Sequence, residues 1–235
     1  RPRGPEQIPR TPLDGTQLFT ATQAPLDAHL MGVAEYAEAF AARCGMPAGV
    51  ARALWHAGRL HDLGKVDSRF QLWLYGGDDV AQAGGQMLAK SAIPRQDAVM
   101  RRRARERAGY ADSQRHELVS LDMIERSEDL RSCVETEGAD WDLVLHLVAS
   151  HHGWCRPLAP AAAIPASDAE RVEWNVDGVV IAGTTAHERA RIGSGVAARF
   201  WTLVRRYGWH ELAYLEAILR LADHRRSARE QEAAS

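Results

Sequence analysis

The sequence has no long hydrophobic run and no recognisable targeting segment. A helix that crosses a bilayer needs about 18 or more consecutive apolar residues, and no stretch of the 235 residues approaches that length. The chain also does not open with the basic and apolar regions of a signal peptide. We therefore expect no membrane partner. Because the chain begins at Arg1 rather than Met, we expect it to be a piece of a longer polypeptide.

Cysteine is scarce as well. The three cysteines, Cys44, Cys133 and Cys155, are odd in number, widely spaced and form no Cys-x-x-Cys pair. This pattern argues against a disulfide framework and indicates a reducing compartment. We predict a cytoplasmic location.

A phosphate-binding loop is missing too. The nearest candidate, residues 84–91, has Ala89 where the second glycine of the motif belongs, and it follows no predicted strand. The sequence therefore contains no recognisable ATPase motor.

The composition is that of a folded domain. Hydrophobic residues make up 46% of the chain, which is enough for a substantial core. The net charge is −2, but one short stretch concentrates basic residues, namely Arg101, Arg102, Arg103, Arg105 and Arg107. Such a cluster permits contact with a polyanion without requiring it.

Hydrophobic periodicity predicts one helical domain over residues 25–235, after an N-terminal arm or linker over residues 1–24 that lacks periodicity. Helices are predicted between Pro25 and Gly45, Pro47 and Asp62, Ser68 and Gly76, Arg115 and Ile124, and Asp140 and His152, and over about residues 186–207 and 209–229. Residues 78–115 are predicted to be irregular with a helical piece in the arginine-rich part, and residues 157–165 to be a loop. Asp177-Gly178 between β-branched runs predicts a hairpin. The expected fold class is all-α, a helical bundle with a small β-hairpin insertion.

Seven residues scattered over these helices are all of metal-ligand types. Most of them fall where the apolar pattern would bury them, and a buried imidazole or carboxylate without a partner is costly. Bound metal ions would offset that cost. The seven are His29, His61, Asp62, His116, His151, His152 and Asp223.

The adjacent His61 and Asp62 suit a centre with two ions. An imidazole supplies one bond to one ion, whereas a carboxylate has two oxygens and can bridge two. Imidazole-rich sites favour Mn, Fe, Co, Ni or Zn, while Mg prefers oxygen ligands and stays chemically admissible. Two ions about 3.5–4 Å apart lower the pKa of a bound water and stabilise both oxygens at a phosphorus under attack. The set therefore predicts phosphoester hydrolysis, with Lys65 placed to meet a phosphate oxygen.

These residues also stand in a recognisable order. His61-Asp62-Leu63-Gly64-Lys65 resembles the signature of the HD phosphohydrolase superfamily. Several further motifs resemble, in the same order, the HD nuclease domain of the type I CRISPR-associated helicase-nuclease. They are His29, Phe70-Gln71, Arg115-His116-Glu117, His151-His152-Gly153, and Asp223 with Ser227. The resemblance covers about residues 25–229.

The resemblance implies an HD fold with two metal ions that cuts single-stranded DNA. By position, it implies that one ion is held by His29, His61, Asp62 and Asp223. The second would be held by Asp62, His116, His151 and His152, with Asp62 bridging and Lys65 as catalytic support. It also implies a CRISPR RNA-guided surveillance complex and a helicase as partners. Because no motor motif is present, that helicase would lie on another chain or in a part of the protein outside this sequence.

A nucleic-acid substrate would give further residues a role. Arg101, Arg102, Arg103 and Arg105 could contact phosphates, and Trp154 beside the metal histidines could stack a base. A solvated surface cluster and a packed tryptophan are the ordinary alternatives, and they stay open from the sequence.

Two other functions also stay open. One is a phosphodiesterase or nucleotidase that acts on small nucleotides, including cyclic dinucleotides, although the residues after His151-His152 depart from the pattern of those enzymes. The other is a catalytically silent HD domain that serves as a binding module, although no ligand position of the motif is lost.

Overall fold

The structure is a computed structural model that describes residues 22–94, 96–160 and 169–233. Most of the predicted arm over residues 1–24 and part of the predicted loop over residues 157–165 therefore lie outside the described residues. Among the helices of the described part, none combines the length and apolarity needed to span a bilayer.

The described residues form ten α-helices and two small antiparallel sheets, which confirms the all-α class with a β-hairpin. The helices are α1 (Leu26–Arg43), α2 (Ala48–Leu60), α3 (Ser68–Leu74), α4 (Asp79–Ala83), α5 (Ala98–Ala108), α6 (His116–Glu125), α7 (Glu128–Thr136), α8 (Trp141–Ser150), α9 (Val196–Tyr207) and α10 (Trp209–Glu232). The strands are β1 (Ala24–Pro25), β2 (Leu88–Lys90), β3 (Arg171–Val176) and β4 (Val179–Thr184), and 3-10 helices cover Leu63–Val66 and Ile192–Ser194.

One main core holds the bundle together. Helix α1 packs against α2 and α10, α2 also packs against α8, and α8 packs against α6 and α9. Leucines such as Leu30, Leu54, Leu121 and Leu219 are completely buried between these helices. A smaller cluster around Phe70 lies where α3 packs on α5. Burial of these apolar faces is the main stabilising contribution to a helical bundle.

The turn after α2 is locked onto the start of α6. The Ser120 hydroxyl accepts a hydrogen bond from the Gly64 amide at 2.8 Å and lies 2.8 Å from the His61 carbonyl oxygen, to which it donates. A Cβ on Gly64 would come within 2.0 Å of the His116 carbonyl oxygen. Only glycine therefore allows α6 to approach the residues that follow α2 so closely.

The predicted hairpin is present and braces α6 from the other side. Strands β3 and β4 pair from Arg171 opposite Thr184 to Val176 opposite Val179. Asp177 and Gly178 both have positive φ, as the tight turn requires. The Thr184 amide donates to the buried carboxylate of Asp122 on α6 at 3.1 Å.

Several expectations differ from the structure. The helix predicted over residues 186–207 begins only at Val196, because Gly195 adopts a left-handed conformation with φ 88° and ends the preceding 3-10 turn. Helix α3 is capped by Asp67, whose carboxylate accepts from the Arg69 amide, rather than by Ser68. The helical piece in the arginine-rich part is confirmed as α5, but α4, α7 and the β1–β2 pairing were not predicted.

We predict that Gly64→Ala destabilises the protein by about 1–3 kcal/mol, because the new methyl group must push α6 away from the turn after α2. Thermal or urea unfolding measures the loss. Gly193→Ala is the matched control, since a Cβ there meets nothing within 4 Å and the change should stay within about 0.5 kcal/mol. Equal stability of the two variants would contradict the proposed close packing.

Candidate metal centre

The seven ligand-type side chains, far apart in the sequence, meet in one pocket. They come from α1, the end of α2, the start of α6, the end of α8 and the middle of α10. They form two groups whose ligand atoms lie within 4.8 Å of one another: Asp62, His116, His151 and His152 in one, and His29, His61 and Asp223 in the other. Five of the seven are buried, and only His152 and Asp223 are partly exposed.

Local structure explains why the ligands stand at helix ends. His61 is the C-terminal cap of α2, and the chain then turns through Asp62 into the short 3-10 helix. His151 is the C-terminal cap of α8, and Gly153 with φ 87° lets the chain turn away just after the histidine pair. At a helix end two successive side chains can enter one pocket, whereas a continuing helix would set them about 100° apart around its axis.

Asp62 stands between the two groups. Its Oδ1 lies 3.1 Å from His116 Nε2 and 3.6 Å from His151 Nε2. Its Oδ2 lies 3.2 Å from His61 Nε2 and 3.8 Å from His29 Nε2. Each oxygen of one carboxylate therefore faces a different set of imidazoles, which is the geometry a bridging ligand needs.

The remaining ligand atoms complete the two groups. His152 Nε2 lies 3.0 Å from His116 Nε2, so these two nitrogens point into the same small volume. In the second group, His29 Nε2 lies 3.2 Å from Asp223 Oδ1. The side chains are thus already gathered at short distances from one another.

The donor set fits divalent metal ions. Four of its buried atoms have no hydrogen-bond partner within the described protein: His29 Nε2, His61 Nε2, Asp62 Oδ1 and His151 Nε2. The opposite ring nitrogens of the same histidines are occupied, since His61 Nδ1 donates to the Gly58 carbonyl at 2.8 Å and His151 Nδ1 to the Val148 carbonyl at 2.7 Å. Such second contacts orient a histidine and leave its Nε2 lone pair for a metal.

Burial keeps most of the ligands in the form that binds metal. Desolvation lowers the pKa of His61, lowers that of His116 to about 4, and with the neighbouring imidazoles lowers that of His152 well below its usual value. His151 is the exception, because its contact with Asp62 outweighs desolvation and raises its pKa. For Asp62, burial acts to raise the pKa, but nearby His61 and Lys65 hold it well below the ordinary range. The pocket therefore combines an ionised carboxylate with mainly neutral imidazoles.

Lys65 lies in the same pocket. Its Nζ is 2.5 Å from Asp62 Oδ2 and donates to the Ala89 carbonyl at 3.2 Å, and the side chain is 2% exposed. Desolvation lowers the pKa of this ammonium, against the opposing effect of Asp62.

Sequence reasoning missed Glu230. Its two carboxylate oxygens each lie 3.1 Å from His29 Nδ1, so Glu230 accepts the hydrogen bond that fixes the orientation of this candidate ligand. On the same face of α10, Ser227 donates to Asp223 Oδ1 at 3.2 Å. The seven-residue spacing from Asp223 to Glu230 is the signal that could have found it, because residues seven apart share a helix face.

A third acid continues this face of α10. Glu216 lies seven residues before Asp223, is buried, and accepts from His146 on α8 at 2.7 Å. It also pairs with Arg156, which follows the histidine pair of the pocket. The three acids on one stripe of α10 thus reach His29 of α1, the pocket itself and His146 of α8.

The residues predicted to contact nucleic acid differ in their exposure and in their contacts with the protein. Arg102 and Arg103 are exposed on α5, with Arg102 3.6 Å from Glu106. Arg105 is engaged by the protein, since it donates to the Tyr110 and Ala111 carbonyls and pairs with Asp112 at 2.7 Å.

The other two predicted contacts are only partly exposed. The Arg101 carbonyl accepts from the Trp73 indole at 3.2 Å. Trp154 packs against the main core, and the Arg115 guanidinium lies 5.3 Å from its ring centre.

An all-helical body that gathers a His, His-Asp, His, His-His and Asp set in one buried pocket defines the HD class of metal-dependent phosphohydrolases. A sequence-family profile described as "Cas3, HD domain" matches residues 19–206, and the chain belongs to this family. The family comprises metal-dependent hydrolases of CRISPR systems, so the predicted resemblance is confirmed. The match ends before α10, and the placement of Asp223 therefore rests on the geometry alone. No curated protein and no solved structure gave a significant match.

We predict that a metal chelator lowers the melting temperature of protein isolated with bound metal. Ions that bind the folded pocket and not the unfolded chain stabilise the fold by mass action. Free ion at about 100 times its Kd corresponds to a shift of about 5–10 °C for a domain of this size. Scanning calorimetry with and without chelator measures it. Asp62→Ala should reduce the shift, while His210→Ala on the exposed surface should not. Identical melting curves with and without chelator would count against a structural contribution from metal.

We also predict that Glu230→Gln weakens metal binding by about 10- to 100-fold, because Gln lacks the charge that polarises and orients His29. Titration with a competing metal indicator measures the affinity. Glu232→Gln, an exposed change on the same helix, is the control and should bind metal as the parent does. Equal affinities for both variants would show that the Glu230 contact does not tune the site.

Proposed function

We propose that the chain is a nuclease that hydrolyses phosphodiester bonds of single-stranded DNA with two divalent metal ions. The observation that carries this proposal is the placement of Asp62, whose oxygens each face one of two ligand groups. Membership in the Cas3 HD family supports the substrate class.

In this proposal, one ion is held by His29, His61, Asp62 and Asp223, and the other by Asp62, His116, His151 and His152. The imidazole-rich set favours Mn, Fe, Co, Ni or Zn, with Mg admissible. Divalent ions in such a pair supply an activated water and Lewis acidity for attack on phosphorus.

The protein groups have distinct tasks in this reaction. Asp62 holds both halves of the site at a fixed separation because its two oxygens face opposite sides. Lys65 offers an ammonium to the negative charge that develops on the phosphoryl oxygens. The carbonyls of Gly58 and Val148 accept from Nδ1 of His61 and His151 and keep each imidazole in one tautomer and orientation.

The substrate path and the partners belong to the same proposal. We infer that partly exposed Arg101 and exposed Arg102 and Arg103 contact DNA phosphates and that partly exposed Trp154 stacks a base. Arg105 instead donates to the Tyr110 and Ala111 carbonyls just after α5. We further infer that residues 25–235 act as one nuclease domain after an arm over residues 1–24. A helicase and a CRISPR RNA-guided complex would deliver the strand, in the cytoplasm.

We predict that the purified protein with Mn²⁺, Co²⁺ or Ni²⁺ degrades circular single-stranded DNA, which has no ends. Asp62→Ala should lower the rate by more than about 100-fold, because it removes the carboxylate shared by both ligand groups. Gel analysis over time measures cleavage. Asp129→Ala, the same change at an exposed position on α7, is the control and should cut as the parent does.

Three outcomes would separate the competing functions. Intact DNA with every one of these metals would contradict the nuclease. Hydrolysis of cyclic dinucleotides without hydrolysis of DNA would instead support a small-nucleotide phosphodiesterase. Failure to bind metal under any reconstitution would support a silent binding module.

A further inference from the structure

Lysine is almost absent from this chain, and both lysines lie in the candidate metal centre. The sequence has 29 basic residues apart from histidine, of which only Lys65 and Lys90 are lysine. Each of the two is 2% exposed. Lysine is among the residue types least often buried. The burial of both lysines of the chain therefore reflects a requirement of the pocket.

Lys90 is placed by a short strand. It ends β2, where it pairs with Ala24 of β1, and β1 leads directly into the helix that carries His29. Its Nζ lies 3.8 Å from Asp223 Oδ1, a separation that allows attraction but no hydrogen bond. The main-chain neighbour Ala89 accepts from Lys65, so the same strand positions both ammonium groups.

The two lysines face different carboxylates on the same side of the site. Lys65 contacts Asp62 Oδ2, the oxygen that faces His61 and His29, and Lys90 faces Asp223 of that same group. These two aspartates are the only carboxylates in the two groups, and the other members are imidazoles. Two divalent ions would bring more positive charge than the two carboxylates neutralise. The two ammonium groups add to this positive charge, so the loaded pocket would favour an anionic ligand.

The choice of lysine also suits a phosphate oxygen. An ammonium is a compact point charge with three donors, whereas a guanidinium is a broad plane that binds a carboxylate or phosphate with two parallel bonds. The chain uses arginine at its other 27 basic positions. A compact ammonium thus stands at both buried basic positions of the site.

We propose that Lys90 is a second phosphate-binding residue of the site, which contacts the substrate beside Asp223 while Lys65 contacts it beside Asp62. This role rests on the proposed hydrolysis of phosphodiesters. The simpler alternative is that Lys90 only neutralises Asp223. In that case its removal would alter stability or metal binding but not the affinity for phosphate.

The test compares the parent protein with Lys90→Gln and Lys90→Arg, all loaded with Mn²⁺. Bound metal is measured by elemental analysis, the affinity for orthophosphate by calorimetry, and kcat and KM on single-stranded DNA by cleavage assays. We expect Lys90→Gln to retain the metal, to bind orthophosphate at least about tenfold more weakly, and to lose about 100-fold in kcat/KM. Lys90→Arg keeps the charge but not the shape of the side chain, so its phosphate affinity and kcat/KM should lie between those of the parent and Lys90→Gln. Arg191→Gln, an equal charge change at an exposed position, is the control.

The results distinguish a failure of the proposed role of Lys90 from a failure of the proposed nuclease activity. A Lys90→Gln protein that retains metal and matches the parent in phosphate affinity and kinetics overturns the role of Lys90 and leaves the nuclease standing. A parent that binds Mn²⁺ and orthophosphate through Lys90 but cuts no DNA overturns the nuclease and leaves the anion site standing.

A further measurement needs no variant, in case Lys90→Gln does not fold. Lys65 and Lys90 are the only lysine side chains of the sequence, so peptide mapping after treatment with an amine reagent reports on each of them. Orthophosphate should slow modification of Lys90 in the loaded parent protein, and equal modification with and without it would contradict the proposal.

Discussion

The arrangement of the site depends on one buried carboxylate with imidazoles on both sides. An ionised group out of water is stable only with close partners of opposite charge or with hydrogen-bond donors. Asp62 has Lys65 and four histidines around it, and its oxygens point to different sets of them. The turn that carries Asp62 is in turn fixed by Ser120 and by the contact of Gly64 with α6. Disturbing either contact would move the carboxylate relative to both groups at once.

The ligands come from five helices or helix ends, so the pocket exists only in the folded chain. Only two pairs of ligands are neighbours in the sequence, namely His61 with Asp62 and His151 with His152. The packing of α1, α2, α6, α8 and α10 helps to offset the cost of gathering buried imidazoles. Folding and metal affinity are coupled for this reason.

Much of this architecture could be predicted from the sequence, because ligand types and helix periods are local signals. The helices that carry His29, His61, His116 and His151 follow from apolar spacing and caps, and Asp140 caps α8 as expected. Lys90 could not be assigned in this way, since its role depends on a two-residue strand pairing. The spacing of Glu230 from Asp223 marks the helix face, but its contact with His29 depends on how α10 packs on α1. The late start of α9 at Val196 depends on the left-handed conformation of Gly195. The helical spacing of the apolar residues around it does not show that conformation.

The acid stripe on α10 has a consequence for how this helix can change in evolution. Glu216, Asp223 and Glu230 are spaced by seven residues, so they drift by only about 20° around the axis at each step. A single inserted or deleted residue between them would rotate everything beyond it by about 100° and carry one acid away from its partner. The outer face, which includes exposed Tyr214 and Leu221, is free of this restriction. Substitutions should therefore accumulate along α10, while its length between the acids stays constant.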